Sequence, residues 1–181
     1  MFINHILYTH FDLPIPILDE QNLRKLPVRE RLDKCVSILQ TSKDESLRWD
    51  AVWLAGEISE TVGKNDQIFD KVSDLMSWIL QNDNNGVVKH EACYQIAARD
   101  MRNKIPDLIQ TVICDRSTVA RHEAIESLGL MRAFESKEQI TKALKDPSYD
   151  VRETATFVLK RFKRLEEFSG TERQYKPSEI I

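Results

Sequence analysis

The chain is short of the residues that staple, break or charge a fold. Its 181 residues include only three cysteines. Cys35, Cys93 and Cys114 are odd in number and form no C-x-x-C pair, so neither a disulfide framework nor a zinc ribbon is expected, and a reducing compartment fits. Five glycines and six prolines are too few for a loop-rich or low-complexity chain. No apolar run reaches the roughly 20 residues of a membrane-spanning helix, and the opening MFINHILYTHFDLPIPILDE has no basic stretch followed by a long apolar core. A cytoplasmic protein is the expectation, without a membrane partner. The 26 Lys and Arg are interspersed with 29 Asp and Glu, for a formal net charge of -3, so no basic stripe invites nucleic acid. Gly-rich phosphate loops, H-E-x-x-H and Ser-His-Asp patterns are also missing, which leaves phosphoryl and acyl transfer without support.

What remains is a charged, helix-rich composition with 41% hydrophobic residues, enough for one domain that needs no metal to fold. RWDAVWLAG at Arg48, KHEACYQIA at Lys89, RHEAIESLG at Arg121 and RETATFVLK at Arg152 repeat at spacings of 41, 32 and 31 residues. That is the length of a helix pair, so the pattern predicts an all-α solenoid of HEAT type. Each copy has a base, two variable positions and then an alanine (Ala51, Ala92, Ala124, Ala155), followed four residues later by Ala55, Ile96, Leu128 or Leu159. Small residues at this spacing mark a buried helical stripe where neighbours approach closely. Between these second helices, LDKCVSILQ, QIFDKVSDLMSWIL, IPDLIQTVI and SKEQITKALK carry apolar residues at three- and four-residue intervals. Asn84-Asn85-Gly86, Asp115-Arg116-Ser117 and Asp146-Pro147-Ser148 supply turns and caps before a second helix. Eight helices in four antiparallel pairs are predicted over 27–168, with a capping segment at 1–26 and a loose tail at 169–181.

Histidine is scarce, yet two of the four copies stand at matched positions in His90-Glu91 and His122-Glu123. The outer repeats carry Trp49-Asp50 and Glu153-Thr154 there instead. A stack is expected to leave these variable pairs on one exposed face near the start of each second helix. A solvated face takes polar residues and duplication copies dipeptides, which is the plain account. Neighbouring helices about 8–10 Å apart would also let both imidazoles aim at one point. Two histidines with one carboxylate, Glu91 or Glu123, would form a site with open positions, suited to non-haem Fe(II) activating oxygen or to Zn²⁺ activating water. The positive helix ends nearby oppose a cation, so the carboxylates must compensate. Cys93 is expected as a buried thiol, Trp49 at the mouth of the site, and His5 and His10 in packing or surface roles.

These repeats, from Ile79 to Glu167, resemble those of deoxyhypusine hydroxylase, a HEAT-repeat di-iron enzyme whose substrate is a modified lysine of a translation factor. The family has two facing halves, each with two His-Glu motifs, and this chain resembles one half. Tyr94 and Glu126 each fall four residues after a motif histidine, as in that family. The resemblance implies iron ligation by His90, His122 and Glu123, with Glu91 toward the substrate, Glu126 orienting the His122 ring and Tyr94 acting on bound oxygen or substrate. It implies an O2-dependent monooxygenase whose second half is supplied by homodimerisation, acting on a protein or amine substrate. The alternative is a non-catalytic scaffold for a protein or pigment, as in phycobilisome lyase-like repeats, with His90 and His122 as recognition residues.

Overall fold

The structure is a computed structural model, and residues 18–168 are described. The far N-terminal part of the predicted capping segment, with His5 and His10, and the predicted tail lie outside the described residues.

Helix formation follows the caps and the apolar spacing. A short α1 (Glu20–Lys25) precedes α2 (Val28–Thr41) and α3 (Glu45–Thr61). Then come α4 (Gln67–Asn82), α5 (Gly86–Ala98), α6 (Ile105–Cys114), α7 (Thr118–Leu130), α8 (Lys137–Ala143) and α9 (Tyr149–Phe168). The side chains of Asp44, Asp66, Asn85 and Ser117 accept first-turn backbone N–H groups of α3, α4, α5 and α7. Each satisfies donors that a helix start otherwise leaves unpaired. Among the described residues there is no strand, and no helix is long and apolar enough to cross a membrane.

The predicted pairs are α2/α3, α4/α5, α6/α7 and α8/α9, and they stack in order, as in an all-α solenoid. One layer holds α3, α5, α7 and α9 side by side, and α2, α4, α6 and α8 form the other. Ala51, Ala92, Ala124 and Ala155 are all fully buried, as the repeat pattern predicts. α7 and α9 also approach closely: a Cβ added at Gly129 would come within 2.8 Å of Val158. Thr156 and Lys160 are exposed on α9 at the repeat positions of buried Ile125 and Gly129 on α7, so α9 turns toward solvent the face that α7 buries.

Successive repeats are also clamped at the edge where the second helices begin. Arg48 grips Asp83 through Nε (2.7 Å) and Nη2 (3.2 Å), Lys89 pairs with Asp115, and Arg121 grips Asp146 at 2.8 and 2.9 Å. These pairs are largely buried. Losing one partner would leave the other charge uncompensated, which is the costly way to break such a pair. The bases of two clamps, Lys89 and Arg121, immediately precede His90 and His122.

Candidate metal centre

The variable pairs lie in the second turns of α3, α5, α7 and α9, side by side in one layer. His90 and His122 are half-exposed there, but Glu91 and Glu123 are 4% and 5% exposed. The predicted exposed face therefore fails at Glu91 and Glu123, while the other variable positions are partly or fully exposed. Adjacent helical residues point about 100° apart, so when the histidine faces outward its neighbour turns into the seam between second helices.

That seam is where two repeats meet chemically. His90 Nε2 from α5 lies 3.0 Å from Glu123 Oε2 of α7. His122 Nε2 lies 3.6 Å from Glu126 Oε2, one turn on. Donor atoms of His122, Glu123 and Glu126 all fall within 4.8 Å of one another. The hydrogen bond that His90 donates to Glu123 raises the His90 pKa above the usual histidine value against the opposing effect of burial, and the charges of Glu91 and Glu126 add to it. Burial pushes the Glu91 carboxyl up, while a hydrogen bond from Gln95 pulls the other way.

The His122 ring is held by a residue that motif reading did not single out. Thr154 Oγ1 on α9 sits 2.7 Å from His122 Nδ1 and 2.9 Å from the carbonyl of Asp150. A carbonyl can only accept, so the hydroxyl proton goes to Asp150 and the hydroxyl accepts from Nδ1–H. This leaves the lone pair on Nε2, the nitrogen facing Glu126. The ring-orienting contact thus belongs to Thr154, whereas Glu126 stands among the donor atoms. The only sequence signal was Thr154's place in the repeat register, equivalent to Glu123.

The remaining predicted residues are arranged as follows. Glu91 Oε1 accepts from Gln95 Nε2 at 2.7 Å. Tyr94 is partly exposed and stacks with Trp53 at 6.3 Å and 5°, and Trp53 stacks with Trp49 at 6.2 Å and 18°. An aromatic ladder therefore runs from α3 to α5 beside His90. Cys93 is fully buried, with its pKa well above the usual value because of burial, and its contact is to the Ala120 carbonyl. It takes no place among the donors.

The donor chemistry fits a cation. Two donors each about 2.1 Å from one ion stand about 3.0–3.4 Å apart at right or tetrahedral angles. The His90–Glu123 and His122–Glu126 separations bracket that spacing closely. Three carboxylates and two imidazoles on the neighbouring helices α5 and α7 leave excess negative charge, and nitrogen with oxygen donors suits Fe(II) or Zn²⁺.

Comparison with known proteins bears on the repeats that carry these residues. Residues 73–160 match the family model for HEAT repeats. The described residues form an all-α solenoid whose matched part is similar to HEAT repeats. Over 98 residues it is 31% identical to deoxyhypusine hydroxylase of Bos taurus, covering 52% of this chain and 32% of that one. The Saccharomyces cerevisiae deoxyhypusine hydroxylase is 24% identical over 143 residues, covering 74% and 44%. The fold matches the structure of human deoxyhypusine hydroxylase in complex with glycerol with a TM-score of 0.61 at 23% identity, over 79% of this chain and 47% of that one. This is a deoxyhypusine hydroxylase-like HEAT-repeat protein that spans less than half the length of those relatives.

Proposed function

We propose that the chain binds non-haem iron and acts as a deoxyhypusine hydroxylase-like, O2-dependent monooxygenase, with a di-iron site completed by a second copy of the chain. The observation that carries this reading is the 3.0 Å approach of His90 to Glu123 across two repeats, with His122 and Glu126 beside Glu123 on α7. His90, His122 and Glu123 would hold the metal, and Glu126 lies near enough to share in it. Iron, when bound, supplies activation of O2 for hydroxylation of a carbon centre.

The chain's own groups do the rest. Thr154 fixes the His122 tautomer so that Nε2 is free. Excess carboxylate charge from Glu91, Glu123 and Glu126 attracts a cationic amine and orients it. The rings of Trp53 and Tyr94 offer an apolar wall for its alkyl chain, with π faces that favour an ammonium group. Glu91, buried beside His90, faces that substrate.

Dimerisation follows from the openness of the donor set. Both histidines are half-exposed, exposed Val87 and Val119 share their helices, and exposed Phe157 lies on the neighbouring α9. A two-fold association through this face buries the apolar groups and sets one donor set opposite another.

Metal analysis coupled to a native mass measurement tests the reading. One iron per chain in a dimer, with a visible absorption band lost in His90→Ala and His122→Ala, is the expected result. One colourless Zn²⁺ per chain would replace oxygen chemistry with hydrolysis. A metal-free monomer that still engages a partner would return the protein to the class of scaffolds.

A further inference from the structure

Gln95 is fully buried on α5, yet its amide is only half used. Nε2 donates to Glu91 Oε1 at 2.7 Å, while Oε1 is buried without a partner. The amide lies over Gly56 of α3, where an added Cβ would fall 2.0 Å from Oε1 and 2.4 Å from Cδ. The α3–α5 contact thus spends a glycine inside a helix and an unpaired buried carbonyl, both destabilising.

The repeat supplies its own control. Gly129 holds on α7 the position that Gly56 holds on α3, and Val158 on α9 the position of Gln95 on α5, and Val158 packs over Gly129 in the same way. An apolar side chain therefore suffices to pack this seam. Ser127, the equivalent residue on α7, donates to the Cys93 carbonyl and touches no carboxylate. A donor to the buried glutamate of the His-Glu pair is particular to Gln95, and Glu91 Oε2 accepts no hydrogen bond among the described residues.

We propose that Gln95 is a positioning residue that fixes Glu91 beside His90, with Gly56 as the seat that admits its amide. The inference rests on the metal-binding reading above and deepens it. One oxygen of Glu91 is tied back to its own helix, and the other is left for the cation or for a group bound to it.

Cobalt(II) is the probe, titrated by its visible absorption into the full chain, Gln95→Met and Gly56→Ala, each with a thermal melt. Methionine keeps the volume and removes both the donor and the unpaired carbonyl. Gln95→Met is expected to melt no lower than the parent chain while its cobalt dissociation constant rises about tenfold, the usual effect of losing a group that supports a metal site, with an altered spectrum. Gly56→Ala reaches the same weakening by evicting the amide, and the double variant is no weaker than either single, because both act through one contact. Equal constants and spectra for the parent chain and Gln95→Met would overturn the proposal while leaving the metal site standing. Failure of Gln95→Met to fold would also overturn it, since the amide would then serve packing. A parent chain that takes up no cobalt would sink the metal-binding reading itself and this inference with it.

Discussion

Replacing Thr154 by valine removes the hydroxyl that sets the His122 tautomer and keeps the shape of the side chain. Two contacts vanish, to His122 Nδ1 at 2.7 Å and to the Asp150 carbonyl at 2.9 Å. The second is an added bond within α9, so the stability cost is that of one ordinary hydrogen bond, about 1 kcal/mol. A melting temperature lower by about 2–4 °C is expected for a chain of this size. The effect on metal is larger than the effect on folding. Without an acceptor at Nδ1, the ring proton is free to move to Nε2 and the ring to turn, so the ligand must be reorganised at each binding event. Loss of such a supporting hydrogen bond weakens metal affinity by about tenfold or more, or about 1.4 kcal/mol. Competitive cobalt titration measures the affinity, and nitrogen-15 correlation spectra of the histidine rings report the tautomer. Thr154→Ser should restore both. If Thr154→Val binds cobalt as tightly as the parent chain and keeps Nδ1 protonated, the assignment of Thr154 as the orienting group is refuted.

Three further outcomes follow from the structure. Metal uptake should weaken as pH falls through the raised His90 pKa, because the imidazolium has no lone pair to give, and pH-dependent cobalt titrations of the parent chain and Glu123→Gln check this. In metal-free protein the sign reverses: the raised folded pKa means that the His90–Glu123 pair stabilises at low pH and that its contribution is lost as pH rises through that pKa, an effect absent in Glu123→Gln melts. Gly129→Ala forces a methyl to within 2.8 Å of Val158. Overpacking of about 1–3 kcal/mol outweighs the helix-propensity gain of up to about 1 kcal/mol, so urea unfolding should show a net loss.

The helix pairs were legible because they are local. Caps such as Asn85 and Ser117, and the alanine stripe from Ala51 to Ala155, state their positions within a few residues of chain. The pairing of His90 with Glu123 was accessible only once the repeats were aligned, since the two residues lie on neighbouring helices. Burial of Glu91 and Glu123 was not readable, because it depends on how far each second helix is rolled toward its neighbour. Thr154 and Gln95 escaped for a similar reason. Each acts through a hydroxyl or amide whose partner is settled by side-chain conformation and by the seam between helices, and neither belongs to a recognisable ligand pattern.

The clamps formed by Lys89 with Asp115 and Arg121 with Asp146 bear on more than cohesion. They lie at the same end of the second helices as the donors, so the pitch of the coil and the gap between His90 and Glu123 are one mechanical variable. Bending the array between the α4/α5 and α6/α7 pairs opens or narrows that gap. Conversely, an occupant that grips both side chains stiffens that joint.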